Sequence, residues 1–260
     1  MNKSNADLQK IIEYIFSRTD YDKINRLQRL QLSANEFRED KKRKLCENND
    51  FNLEIFYTHP DHERRKETIY YDLQYGHESK LAGTGLFESH FQNVFLHNNF
   101  PNVVKYIFPE IFKKESWNFA DQKALEEFCK GIFDFEIPSY KEAIPIRLAT
   151  YFYPEILLPI FKINHLENIC KAFGFETNAH SYGDKLFIFN SFLLGQMNNL
   201  KYSNIIKQNM ANQIYYTVDL MGRLNNQEAY DNIIGLTRKK WVREFYEEGY
   251  EILISLQLIR

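Results

Sequence analysis

The pentapeptide 59–63, His-Pro-Asp-His-Glu, contains the residue types of a metal site. Two imidazoles and two carboxylates can ligate a divalent cation or place a general base beside it. Against such a site, Pro60 opposes a continuing helix, and no further ligand pair stands nearby at metal-binding spacing. We therefore favour a solvated turn, and a metal-dependent nuclease that uses His59, Asp61 and His62 remains a third alternative.

Two other patterns are similar to catalytic or nucleotide-binding signatures. Asp134 and Glu136, followed by Lys141, are similar to the acidic core of metal-dependent nucleases, but the Glu-x-Lys spacing is missing. The Gly-Thr-Gly run 83–85 lacks the Lys-Ser/Thr of a phosphate-binding loop, and we interpret it as a tight turn. No Ser or Cys lies in a nucleophile elbow. The sequence thus predicts no catalytic residue, no metal and no cofactor in this chain.

Two basic clusters are better candidates, and the chemistry they offer is nucleic-acid binding. Because the formal net charge is −2, any contact with DNA must come from a local patch. Lysine and arginine neutralise phosphates, and an indole ring stacks on an exposed base. The predicted binding residues are Lys41, Lys42, Arg43 and Lys44 in the first basic cluster, and Arg238, Lys239, Lys240 and Trp241 in the second. The competing interpretation is a solvated helix face with a half-buried tryptophan.

Composition limits the class of protein. With 260 residues, 44% of them hydrophobic and 16% aromatic, the chain can bury a core without disulfides or metal. Its three cysteines are odd in number and far apart, as in a reducing compartment, so we expect a cytoplasmic protein. No run of eighteen uncharged apolar residues is present, so we expect no membrane partner.

Most of the chain has the spacing of amphipathic helices. Apolar residues recur at i, i+3, i+4 and i+7, and this spacing predicts helices over 4–17, 22–46, 102–114, 119–132, 140–152, 164–173, 184–200, 201–223, 226–235 and 238–250. Asn164 is a predicted helix cap, and Gly174 is a predicted left-handed helix end.

The segment 51–100 has a different pattern. Phe51, Leu53 and Ile55 alternate with polar residues, and the run 69–73 is rich in β-branched and aromatic side chains. We therefore predict an α+β fold, mainly helical, with a bundle-like body and a small irregular or β segment around 51–100. A soft boundary near residue 100 divides 1–100 from 101–260, and a single domain is the alternative.

One stretch resembles a known family. Residues 144–175, with Tyr-Phe-Tyr-Pro-Glu at 151–155, Leu-Pro-Ile at 158–160 and Phe-Gly at 173–174, resemble the region upstream of the AAA+ motor in McrB-like restriction proteins. Residues 184–192 resemble the helix with an aromatic-Asn pair that tends to follow. The resemblance covers about 50 residues and lies in apolar positions. This chain has no Walker motif and no nuclease core.

The resemblance implies a non-catalytic, N-terminal DNA-recognition or regulatory domain of a McrB-like anti-phage restriction system. The expected partners are double-stranded DNA and a motor or nuclease subunit. The apolar ending at 256–259 suggests that the chain is part of a longer protein. The alternative function is a protein–protein adaptor in a defence or regulatory assembly. The predicted core side chains of the resembling stretch are Phe152, Ile156, Leu158, Ile160, Leu166, Ile169 and Phe173.

Overall fold

The computed structural model describes residues 5–18, 20–47, 51–57, 61, 63–75, 88–198, 200–224 and 227–259. These residues form thirteen α-helices, two short 3-10 helices and no strand. The α-helices are α1 (Asn5–Ser17), α2 (Tyr21–Glu47), α3 (Leu53–Phe56), α4 (Ile69–Tyr75), α5 (Glu88–Phe95), α6 (Phe100–Ile107), α7 (Gln122–Gly131), α8 (Ala143–Phe152), α9 (Ile163–Ala172), α10 (Tyr182–Gln196), α11 (Asn204–Arg223), α12 (Gln227–Leu236) and α13 (Lys240–Ser255). The 3-10 helices span Glu63–Glu67 and Pro109–Phe112. The prediction of a mainly helical protein is confirmed.

The predicted β segment is wrong for every described residue between 51 and 100. The run 69–73 lies in α4, where Ile69, Tyr70 and Leu73 are buried, which is the i, i+1, i+4 pattern of one helix face. The Thr68 hydroxyl accepts a hydrogen bond from the Tyr71 amide at 3.3 Å and so stabilises the start of the helix. A high content of β-branched and aromatic residues indicates burial as much as it indicates a preference for strand. Tertiary packing therefore decides whether such a run forms a strand or a helix.

Helix α8 lies at the centre of the main hydrophobic core. Every residue from Ile144 to Phe152 is buried, as expected for a helix that is covered on all sides. Phe56 of α3 contacts both Phe100 of α6 and Phe152 of α8, with ring centroids 5.4 and 6.4 Å apart. The boundary near residue 100 stays a prediction, and these aromatic contacts run across it.

The stretch that resembles McrB-like proteins contains a non-helical run at 153–162 between α8 and α9. The buried amide of Asn190 in α10 accepts from the Leu158 N–H at 2.8 Å and donates to the Ile156 carbonyl at 2.9 Å. Five of the seven predicted core side chains are buried, while Ile156 and Phe173 are only partly buried. The helix predicted at 164–173 is therefore present, and it follows a non-helical run that is buried at 157–160.

Several helix ends have a local cause in the sequence. The Asp121 carboxylate accepts from the Lys123 amide at 2.9 Å, and the Ser181 hydroxyl accepts from the Asp184 amide at 3.0 Å. Gly174 has φ 77° and follows α9, as predicted. Asn164 is not the cap of α9, because that helix already begins at Ile163 after Lys162.

A second hydrophobic cluster joins α1, α11, α12 and α13. Helix α13 packs along α11, and a Cβ on Gly249 would lie 3.2 Å from the Thr217 Cα, so glycine permits this close approach. The apolar face of α13 (Tyr246, Ile252 and Leu253) is buried, and its first two residues, Lys240 and Trp241, are exposed. Among the described helices, none has the length and apolar character needed to cross a bilayer.

Candidate nucleic-acid interface

The first half of the first basic cluster is folded into the protein. Lys41 is 6% exposed, and its ammonium lies 4.9 Å from the centroid of the Phe37 ring. Lys42 is half-buried and forms an ion pair with Glu39 at 3.0 Å, with its ammonium about 6 Å from the rings of two core aromatics. Lys41 is therefore mostly buried, and Lys42 is already paired with a carboxylate.

The second half of this cluster is exposed but neutralised. Arg43 and Lys44 each lie 2.7 Å from a carboxylate oxygen of Asp40, and Arg43 also lies 3.7 Å from Glu47. Hydrogen bonds from Lys44, and then from Arg43, lower the pKa of the Asp40 carboxyl. The carboxylates of α2 thus already hold the cations that the sequence assigned to DNA.

The second basic cluster lies where α12 passes into α13. The connection is three residues long, and Thr237 fixes it by donating a hydrogen bond from its hydroxyl to the Ile233 carbonyl at 2.6 Å. The Arg243 guanidinium donates to the Thr237 carbonyl at 3.0 Å. Beyond this fixed turn, Arg238, Lys239 and Lys240 are exposed.

Trp241 stands beside these cations with 43% of its surface exposed. Its ring makes edge contacts with Tyr216 and Phe245, with centroids 6.1 and 6.2 Å away, and these contacts hold its orientation. The Lys239 ammonium lies 5.9 Å from the indole centroid. The cluster thus combines a half-exposed aromatic ring with a cation close to it.

The charges of the second basic cluster are placed where they oppose the helix. Lys239 is the N-cap of α13 and makes no side-chain cap hydrogen bond, and Lys240 is its first residue. Because the helix macrodipole is positive at this end, each cation here costs about 0.3–1 kcal/mol. Among the described residues Arg238 and Lys239 make no ion pair, and Lys240 lies 3.8 Å from Glu244 while 91% exposed. The helix start therefore presents uncompensated positive charge.

The two basic clusters do not form one surface. Helix α2 meets α13 near its own N-terminus, where Lys23 forms an ion pair with Glu248 at 3.2 Å. From Lys23 to Lys41 the helix rises about 27 Å. The first basic cluster is therefore at the far end of α2 from α13.

The residues considered for metal chemistry are dispersed or outside the described part. His59, His62 and the Gly-Thr-Gly run 83–85 lie outside the described residues, and Asp61 binds the Glu63 amide at 2.9 Å. Asp134, Glu136 and Lys141 are exposed, and the described residues contain no metal-binding group of three such ligands. Burial raises the pKa of the Cys129 and Cys170 thiols to about 12, so neither is an activated nucleophile.

A buried polar cluster, which no local sequence pattern predicted, joins α2, α4 and α8. Its members are Arg38, Asp72, Arg147 and Tyr151, each 1% exposed or less. Arg147 donates to the carbonyls of Asp72 and Leu73 at 3.3 and 3.4 Å, in the last turn of α4. Its guanidinium also lies 4.8 Å from the centroid of the Phe161 ring. Burial lowers the pKa of Arg147 to about 10, and the charge of Asp72 opposes this change, so the side chain is cationic at neutral pH.

His165 is a partly buried titratable group whose Nε2 atom is buried. It lies on α9 with its ring 5.1 Å from Tyr215 and 6.0 Å from Tyr216, and its Nε2 has no hydrogen-bond partner among the described residues. Burial, and then the charge of Lys162, lower its pKa to about 4 from an ordinary value of 6.5. The folded state therefore holds His165 in the neutral form.

We expect this histidine to make the protein less stable in acid. Between pH 6.5 and 4 the unfolded chain binds a proton that the folded chain does not, so the free energy of unfolding falls as pH falls, by up to about 3 kcal/mol. The His165→Phe substitution keeps the ring packing and should remove this contribution to the pH dependence of the free energy of unfolding. Urea denaturation of both proteins from pH 7.5 to 4 measures it, and parallel curves would contradict the assignment.

Neither a protein-family profile, nor a curated protein, nor a solved structure matches this chain.

Proposed function

We propose that this chain binds DNA through the second basic cluster, at the turn between α12 and α13. The observation that carries the proposal is the exposed group of three cations beside a half-exposed tryptophan. Lysine and arginine at such a position contact phosphates, and each released counterion contributes to affinity. Placing cations at the start of a helix lowers its stability, which a binding role accounts for and a merely solvated face does not.

The proposed role is that of a non-catalytic recognition or regulatory domain in a McrB-like restriction system. The resemblance of residues 144–175 supports this role. The aromatic-Asn pair of α10, Phe189 and Asn190, also supports it, because both side chains are buried and Asn190 accepts a hydrogen bond from Leu158 within that stretch. A motor or nuclease subunit would then act on the DNA that this domain holds.

The salt dependence of binding tests the proposal quantitatively. If all three exposed cations contact phosphates, the magnitude of the negative slope of log affinity against log salt should be about 2.7 for a duplex and about 2.1 for a single strand. If the first basic cluster also met phosphates, the duplex slope would be roughly 6. Fluorescence anisotropy with a labelled oligonucleotide at four salt concentrations separates these values, and no binding at low salt would overturn the proposal.

Reversal of two charges should abolish most of this binding. We expect Lys239→Glu with Lys240→Glu to weaken DNA affinity at least about tenfold at low salt, for all sequences alike, because phosphate contacts carry no sequence information. The same double variant should be as stable as the parent or more stable, because glutamate suits a helix N-terminus. Lost binding with an unchanged or raised melting temperature would therefore not be due to unfolding.

The matched control is Lys113→Glu with Lys114→Glu, which changes the net charge equally at another exposed site. If this control weakens binding as much, the effect belongs to total charge and not to the cluster. Trp241→Ala tests stacking separately. If a base stacks on the indole ring, this substitution should weaken the binding free energy by about 1–3 kcal/mol.

A protein partner is the second candidate, favoured by Leu236. This residue ends α12 beside the second basic cluster and is 80% exposed, which a duplex contact does not explain. An adaptor surface would use Leu236 and Trp241 together and bind a partner with little salt dependence. Leu236→Ser should then prevent partner binding and leave DNA affinity unchanged.

A further inference from the structure

A polar cleft of about 210 Å³ lies between α2, α3 and the 3-10 helix Glu63–Glu67. Its walls contain three cations (Lys41, Lys44 and Arg64) and two carboxylates (Glu54 and Glu67). It is far along α2 from the second basic cluster, and the inference drawn from it does not depend on DNA binding.

Lys41 is the unusual member of this cleft. The residue is 6% exposed, yet its ammonium makes no hydrogen bond or ion pair with any described residue, and its one close partner is the Phe37 ring. Two of the neighbouring carboxylates are paired with other cations, since Asp40 holds Arg43 and Lys44, and Glu67 lies 3.6 Å from Arg64. A buried cation without a counter-charge is costly, and such groups are normally paired.

We propose that this cleft binds inorganic phosphate, with Lys41 as the counter-charge. The volume is too large for a single water and is suited to a small ligand. A nine-tenths-buried lysine inside a cleft is out of reach of a duplex backbone, so the ligand is a small free anion. Lys41 supplies up to three donors, and Arg64 adds a guanidinium at the wall.

The two carboxylates select phosphate over sulfate. At neutral pH phosphate keeps at least one P–OH group, which donates a hydrogen bond that Glu54 or Glu67 accepts. Sulfate has no such donor, and its oxygens would face the same carboxylates with repulsion. The cleft should therefore discriminate between two anions of similar size.

Thermal denaturation with inorganic phosphate as the probe tests the site. At saturating phosphate the melting temperature of the parent protein should rise by about 5 °C more than with sulfate at equal ionic strength. Lys41→Met should lose this phosphate-specific rise. Without phosphate it should melt at the same temperature as the parent or higher, because the unpaired buried charge is gone.

Two further variants sharpen the test. Arg43→Met, at an exposed position of α2 outside the cleft, should keep the phosphate-specific rise, and Glu54→Gln should reduce the preference for phosphate over sulfate. Amide chemical shifts should change at the cleft residues on adding phosphate to the parent. The proposal is overturned if Lys41→Met retains the rise, if phosphate and sulfate act equally on the parent, or if Lys41→Met melts several degrees lower without any ligand. The last result would show that Lys41 is satisfied within the fold.

Discussion

Replacing Arg147 by Met should lower the free energy of unfolding by about 3–5 kcal/mol, the largest effect we expect for one substitution. The guanidinium is fully buried and satisfies two carbonyls in the last turn of α4, where a helix has no partners of its own. Without it these carbonyls lose a buried donor, and the Asp72 carboxylate loses a neighbouring positive charge. Methionine preserves most of the volume, so the loss reports polar contacts and not a cavity.

A double-mutant cycle with Asp72→Asn identifies the interaction. The Asp72→Asn substitution should lower the free energy of unfolding in the parent and in the Arg147→Met variant by different amounts. The loss in the variant should be smaller by at least about 1 kcal/mol, because the two groups are coupled. Arg147→Lys should also destabilise the protein, since an ammonium cannot reproduce the planar fork or the stacking on Phe161. Arg43→Met, which removes an exposed arginine, should change stability by less than about 1 kcal/mol.

Strictly additive effects of Asp72→Asn and Arg147→Met would contradict the coupling. If Arg147→Met changed the free energy of unfolding by less than about 1 kcal/mol, the arginine would be dispensable. The carbonyls in the last turn of α4 would then be stabilised by other groups. Guanidinium chloride denaturation followed by circular dichroism gives these values.

The substitutions Leu166→Ala and Ile169→Ala should each lower the free energy of unfolding by about 2–5 kcal/mol. Both lie on the buried face of α9, at 1% and 0% exposure, within the main hydrophobic core. The loss has two parts, the transfer free energy of the deleted groups and the cavity that remains, because close-packed neighbours relax only in part.

Exposed residues of the same kind provide the control for these alanine variants. Ile254, on the outer side of α13, is 45% exposed, and Ile254→Ala should change stability by no more than about 0.5 kcal/mol. If the α9 variants were equally mild, that face would be an interface and the adaptor function would gain support. Urea denaturation midpoints measured in parallel provide the comparison.

The sequence by itself determined which parts of the chain are helical wherever the apolar spacing is long and regular. Helices α1, α2, α9 and α11 fall within a few residues of their predicted bounds, and Gly174 ends α9 as its conformational freedom predicts. Burial of Leu166 and Ile169 follows from the same spacing. These features are local, so neighbouring residues suffice to specify them.

The tertiary structure alone decided what the short and charged segments do. The run 69–73 has the content of a strand, but burial of one helical face of α4 against the core made it a helix. The first basic cluster has the composition of a phosphate-binding face, yet Lys41 turns inward and Asp40 holds Arg43 and Lys44. The Arg38–Asp72–Arg147 cluster joins residues far apart in the chain, and no local pattern marks them. The sequence gives the number and positions of the charged residues, but the packing of the helices determines which of them face solvent.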